Sequence, residues 1–136
     1  MKESHSVDYD KLVTSHLAEA KRKFKRAKDL YEDGYYDEAA HDGYYSMFHA
    51  AKALLALKKV QTKTHRGVIS EIQRLYVKSD IIAQDLASAL SRDLQIRIQT
   101  DYDVMIEISE DLATDVINDA EVFLNEVEKV ISKNGE

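Results

Sequence analysis

Apolar residues recur along this chain at steps of three and four, the period of amphipathic helices, and nowhere sustain the strict alternation of strands. Leu12, Val13, Leu17, Ala20, Phe24, Ala27, Leu30 and Tyr31 trace one long helix from about Asp8 to Asp33. Gly34 is placed to stop it, because a residue just past a helix end commonly takes the left-handed conformation that costs glycine least. A second helix is expected to start near Asp37, a suitable N-cap, and to run to about Lys59, with residues 60–63 as a short loop. Thr64 can cap a brief third helix carrying Val68, Ile69, Ile72, Leu75 and Tyr76. Ser79 or Asp80 is expected to cap a fourth, in which Ile82, Leu86, Leu90 and Leu94 stand four apart until the pattern dissolves around residues 100–103. Ser109 then opens a fifth, whose inner stripe is Leu112, Val116, Phe123, Leu124, Val127 and Ile131, with Gly135 beyond its end.

Connections this short make sequential helices antiparallel, which predicts an all-α fold: an up-and-down antiparallel bundle of four main helices plus one short one. At 136 residues the chain suits a single domain over residues 1–136, with 1–7 and 133–136 as frayed ends. The absence of proline and the presence of only four glycines leave too few turn residues for an all-β protein of this length. A tetratricopeptide-like phrase at Tyr36, Asp37, Glu38, Ala39 and Ala40 occurs once, so no solenoid is expected. The lack of cysteine removes disulfides, thiolate nucleophiles and cysteine-ligated metal sites. No apolar run reaches membrane-spanning length and the first ten residues are polar, so the protein is expected to be cytoplasmic and to avoid membranes. A net charge of −6 disfavours nonspecific nucleic-acid binding by the chain as a whole and leaves room only for a local basic patch.

The second helix carries the most chemistry. Ala39, Gly43, Ser46, Ala50 and Ala53 fall on one line of small side chains, beside a bulky face of Tyr44, Met47, Phe48, Ala51, Leu54 and Leu55, so two other helices can approach it. On the remaining sector Asp42, Tyr45, His49 and Lys52 form a polar ladder, either a solvated face or the wall of a groove. On the fourth helix Arg97 falls among Ile82, Leu86, Leu90 and Leu94, where a guanidinium must be paired and hydrogen-bonded. Asp93 and Asp101, one turn to either side, are its candidate partners; the alternative is a functional arginine.

Other segments are weaker. Thr64, His65, Arg66 and Gly67 make a helix first turn whose free N–H groups favour an anion, or simply an exposed cap. Lys21, Arg22, Lys23, Lys25, Arg26 and Lys28 are basic, but Ala20, Phe24 and Ala27 interrupt them at core spacing, as on a solvated helix face. The acids Asp101, Asp103, Glu107, Glu110, Asp111 and Asp115 match neither an EF-hand loop nor a di-iron bundle, and favourable charge at a helix N-terminus accounts for them. With no glycine-rich phosphate loop and no HExxH, neither a metal nor a cofactor is expected.

Three stretches together resemble a known family: residues 42–55 (DGYYSMFHAAKALL), 64–68 (THRGV) and 97–103 (RIQTDYD) are similar in order and spacing to the HEPN family, in particular its small stand-alone branch. The resemblance spans about residues 17–130. It implies a helical bundle that forms homodimers and is commonly encoded beside a minimal nucleotidyltransferase, the two acting as a toxin–antitoxin or related pair. Gly43 and its alanine neighbours could serve such a dimer, or packing within the chain. The resemblance also implies a metal-independent ribonuclease motif: an arginine, a polar residue, and a histidine four to six residues on, two copies meeting across the dimer. Arg97 matches the arginine, but Ile98 replaces the polar residue, Asp101, Tyr102 and Asp103 hold the histidine's place, and no histidine follows Arg97. A solvated aspartate is a poor substitute for an imidazole that titrates near neutrality.

The sequence therefore points first to a binding module that acts with a minimal nucleotidyltransferase. Its candidate ligand-binding residues are Arg97, Asp42, Tyr45, His49, Lys52, Tyr102, His65 and Arg66, bounding a site for nucleotide or RNA. The alternative is a ribonuclease in which Arg97 is catalytic and His49 or His65 replaces the missing histidine.

Overall fold

The computed structural model describes residues 6–103 and 105–134. Helix α1 (Tyr9–Glu32) starts where Asp8 accepts the N–H of Lys11 at 3.0 Å. It ends at Gly34, whose φ of 87° lets the N–H groups of Gly34 and Tyr35 turn back to the carbonyls of Tyr31 and Leu30. Helix α2 (Tyr36–Leu57) begins from Tyr35, which supplies no side-chain cap, and not from Asp37. The Asp37 carboxylate is taken by a distant partner, the N–H of Ile108 at 2.9 Å. α2 ends two residues before Lys59, which adopts φ 60° and closes the helix with the same pair of returning bonds, here without a glycine.

Helix α3 (His65–Ile72) follows Thr64, whose Oγ1 accepts the N–H of Gly67 at 2.9 Å. It runs straight on into a π-helical turn (Gln73–Val77), which buries Tyr76 and brings its hydroxyl to the carbonyl of Leu54. Ser79 and Asp80 finish this segment and do not open the next one. Asp80 takes φ 62°, and the N–H groups of Asp80 and Ile81 return to Val77 and Tyr76. Helix α4 (Gln84–Tyr102) starts only after Ala83, three residues later than Asp80 would have placed it. Helix α5 (Glu110–Asn134) starts from Ser109, whose Oγ accepts the N–H of Leu112 at 3.1 Å. It remains helical through Lys133 and Asn134, where fraying was expected; residues 1–5, Val104, Gly135 and Glu136 lie outside the described residues.

Cross-helix pairs fix the directions. Arg26 meets Asp42 and His16 meets His49, so α1 and α2 are antiparallel. Tyr31 meets Thr114 while Lys21 meets Glu128, so α1 and α5 are antiparallel. Arg92 pairs with Asp119 while Ile96 packs beside Val116, which sets α4 against α5 in the same sense. The result is the up-and-down bundle, α1, α2, α4 and α5, with α3 inserted between its second and third members. No strand occurs among the described residues. No described helix is long and apolar enough to cross a membrane.

α2 runs through the middle. Ala39, Ser46, Ala50 and Ala53 are fully buried, and the Ser46 hydroxyl donates to the carbonyl of Ala20 at 2.7 Å. A Cβ on Gly43 would stand 3.0 Å from Val116 Cγ1, so the stripe of small residues packs α2 against α1 and α5 within the chain. Its other side joins Tyr44, Met47 and Leu54 to Leu90, Phe123 and Val127 in one core. This arrangement carries α4 across α2 so that Arg97 meets Tyr45.

Candidate functional site

The guanidinium of Arg97 lies over the Tyr45 ring, 5.1 Å from its centroid, and its Nη1 bonds Asp101 at 2.8 Å. Of the two acids expected to hold it, Asp101 does so; Asp93 stands instead beside Arg92 and Asp119. Tyr45 is the hub. Its ring also touches those of His41 (4.9 Å), Tyr44 (5.3 Å) and His65 (5.7 Å). His65 stacks on Phe48 at 4.1 Å and its Nδ1 shares a 2.7 Å hydrogen bond with the Tyr44 hydroxyl. Burial and the positive charge of Arg97 both push the His41 and His65 imidazoles below their usual range, which leaves them neutral at neutral pH.

Arg97, His41 and Tyr44 border a cleft of about 610 Å³, closed by Lys23 and Arg26 from α1 and by Ile106 and Ile108 from the segment before α5. Among the described residues three buried side-chain polar atoms lack a hydrogen-bond partner: Asp42 Oδ2, Asp93 Oδ2 and Arg97 Nε. All three residues line this cleft. Arg26 Nε stands 3.2 Å from Asp42 Oδ2 but is poorly directed for a hydrogen bond, so the pair is a charge contact only. Asp93 is 2% exposed, and loss of water, with the Asp119 carboxylate beside it, pushes its pKa up to about 8. Unpaired buried donors and acceptors are costly, and their convergence on one cleft suits a ligand that brings both kinds of partner.

The polar ladder of α2 does not bound one continuous groove. Asp42 is buried at the cleft and Tyr45 lies under Arg97, but His49 turns to α1, where its Nδ1 stands 3.1 Å from His16 Nδ1. Burial and His16 lower the His49 pKa to about 4. Lys52 lies over the Phe48 ring and lines a separate cavity with His16. Tyr102 is 88% exposed at the end of α4, away from the stack, and Arg66 is exposed on α3. The basic segment of α1 is largely paired: Lys21 with Glu128, Arg22 with Glu19, Lys25 with Asp29 and Arg26 with Asp42. In the acidic tract Asp103 accepts the N–H of Met105, while Glu110 and Asp111 sit in the first turn of α5. Among the described residues no three His, Cys, Asp or Glu side chains converge as metal ligands would.

The HEPN domain profile matches residues 13–130, most of the chain. The chain belongs to the HEPN family. It is 36% identical over 118 residues to a UPF0332 protein of Archaeoglobus fulgidus, covering 87% of this chain and 94% of that one. It is 31% identical over 127 residues, 93% of this chain and 86% of the relative, to a Methanocaldococcus jannaschii protein named "Putative toxin MJ0142". A UPF0332 protein of Thermotoga maritima is 29% identical over 122 residues, covering 90% and 92%.

Within this HEPN bundle, sequence reasoning missed His41, Lys23 and Arg26 as cleft residues and His16 as the partner of His49. His41 lies one residue before Asp42 and follows Ala39 by two, so its position on α2 was available; its approach to Arg97 depends on where α4 crosses.

Proposed function

We propose that this HEPN protein is a toxin-like module that works with a minimal nucleotidyltransferase and binds a nucleotide or RNA phosphate in the cleft at Arg97. The observation that carries this reading is that the unpaired Arg97 Nε, on the arginine that matches the family motif, and the unpaired Oδ2 atoms of Asp42 and Asp93 belong to residues lining one cleft. Arg97 can present N–H groups to phosphate in the planar fork that suits it. The buried carboxyl groups can receive amino groups of a base, and the partly stacked ring of Tyr45 holds the guanidinium in place. The relative named "Putative toxin MJ0142" supports the toxin-like role. The nucleotidyltransferase partnership and homodimerisation rest on the family resemblance; the small-residue stripe of α2, spent on internal packing, adds nothing to the dimer.

The test is equilibrium binding of labelled mononucleotides and short RNA to the purified chain. Binding that falls at least about tenfold in Arg97→Ala, with unchanged helicity, supports the site. Equal binding by Arg97→Ala removes it. Co-expression with a minimal nucleotidyltransferase and recovery of a stable complex tests the partnership.

One observation favours ribonuclease activity as a second reading. His41 and His65 pack against the Tyr45 ring that also carries Arg97, and both are neutral and able to accept a proton, which supports a role in place of the histidine missing after Arg97. RNA cleavage in the presence of a chelator, lost in Arg97→Ala and in His41→Ala or His65→Ala, would establish it. An intact substrate would leave the binding reading alone.

A further inference from the structure

The second cavity of the bundle, about 530 Å³, lies at the far end of α2 from the Arg97 cleft, between α1, the last turns of α2 and residues 60–63. Its polar lining is Lys52, Lys63, His16, Gln61 and Thr62. No carboxylate lines it, although the chain carries a net charge of −6 and the Arg97 cleft is bordered by Asp37, Glu38, Asp42, Asp93 and Asp101. Among the described residues neither Lys52 nor Lys63 has an acidic partner, in contrast to the paired cations of α1. We propose that this cavity is a second, separate anion site that takes a phosphate group.

The geometry supports that class of ligand. Two lysines, a histidine and a glutamine border one hollow, a spread of donors that suits the tetrahedrally placed oxygens of phosphate better than a flat carboxylate. The remaining wall is apolar, built from Leu12, Leu55, Ala56 and Val60, and a low-polarity wall strengthens attraction between the lysines and an anion. Lys52 is half-buried, with its ammonium 5.5 Å from the centroid of the Phe48 ring. The loop is held: a Cβ on Gly67 would overlap Thr62 Oγ1, so the Thr62 hydroxyl is set against the first turn of α3.

The histidine pair reports on the site. His16 and His49 face each other Nδ1 to Nδ1, so one donates and the other accepts, and a second proton meets repulsion from its neighbour and from Lys52 and Lys23. Glu19 is the acid that faces the pair from α1, and it is engaged by Arg22. An anion between Lys52 and His16 opposes that repulsion and favours the protonated pair.

Phosphate can arrive alone, on a nucleotide or at an RNA end, so the experiment uses all three: inorganic phosphate, AMP and a 5′-phosphorylated short RNA. Each is titrated into the full chain at constant ionic strength while the ring signals of His16 and His49 are followed by NMR. At least one is expected to give a saturable shift and to raise the apparent pKa of the pair by about 0.5 or more. Affinity should fall about tenfold in Lys63→Gln, an exposed loop change that leaves the bundle folded, and should be unchanged in Arg97→Ala. The probe that binds tightest identifies the source of the phosphate. The proposal is overturned if chloride alone produces the same shifts, if all three probes leave the rings unmoved, if Lys63→Gln binds like the parent, or if Arg97→Ala abolishes the response.

Discussion

Arg97 on α4 lies face-on to Tyr45 on α2, 5.1 Å from guanidinium carbon to ring centroid, with Asp101 holding one terminal nitrogen at 2.8 Å. The side chain is 26% exposed, neither a core cation nor a free surface one. One residue therefore joins two helices and keeps a donor turned toward the cleft.

That geometry separates charge from shape. Arg97→Lys retains the charge but loses the planar stack and the fork of donors, so ligand affinity in the cleft should fall by about tenfold while stability changes by about 1 kcal/mol or less. Tyr45→Phe keeps the ring and should bind as the parent does. Tyr45→Ala removes the platform and should cost both affinity and about 2–4 kcal/mol of stability in urea unfolding. Parent-like affinity in Arg97→Lys would show that charge alone suffices.

At the start of α3, Gly67 leaves no room for a side chain. An added Cβ would overlap Thr62 Oγ1 and stand 2.7 Å from Thr64 Oγ1, the atom that caps the helix through the N–H of Gly67 itself. Gly67→Ala should destabilise by about 1–2 kcal/mol, the value of a lost N-cap, despite the better helix propensity of alanine. Thr62→Ala in the same chain relieves the worse overlap and should restore part of the loss. A Gly67→Ala chain as stable as the parent in urea would contradict this account.

The helix ends that were legible in the sequence are those fixed by local chemistry: Asp8, Gly34, Thr64 and Ser109 each act on atoms within a few residues. The misplaced ends depend on something else. Asp37 is drawn seventy-one residues away to Ile108, and Asp80 takes a left-handed φ that ends a helix where an aspartate was expected to begin one. The cleft follows the same division. Helical period alone put Arg97 on the inner stripe of α4, whereas the partners of the α2 ladder depend on which helix packs at each level. Asp42 finds Arg26 and His49 finds His16, both on α1, so a row continuous in sequence is divided in space.

His49 gives the fold an acid-sensitive joint. Its pKa, lowered to about 4 from the ordinary 6.5 by burial and by His16, means that the folded chain binds fewer protons than the unfolded chain between those values. The stability contributed by the neutral His49 ring should therefore fall as pH drops from about 6.5 to about 4. At a half-buried ring, solvent screening reduces the effect to roughly 1–2 kcal/mol. His49→Gln, neutral throughout, lacks this contribution, so in urea titrations it should gain stability relative to the parent between pH 6.5 and pH 4.5. An unchanged slope would mean that the pair does not resist protonation.

Asp93 acts in the opposite direction. Burial and the neighbouring Asp119 raise its pKa to about 8 from the ordinary 3.8, so the folded chain keeps a proton that the unfolded chain releases. The stability contributed by this protonated carboxyl is complete below about pH 4, declines as pH rises, and is gone above about pH 8. The decline should be on the order of a few kcal/mol, since each unit of pKa difference corresponds to about 1.4 kcal/mol. Asp93→Asn carries no titrating proton, so relative to the parent it should gain stability steadily between pH 4.5 and pH 8 and level off above. Between about pH 4 and 6.5 the His49 and Asp93 effects oppose each other, so the parent should vary little there while each single variant exposes the other's slope. Urea unfolding of both variants at pH 4.5, 6, 7.5 and 9 separates the two groups. A parallel pH dependence in Asp93→Asn and the parent would show that Asp93 is ionised in the folded cleft, and would leave its Oδ2 an unpaired charge in need of a cationic ligand.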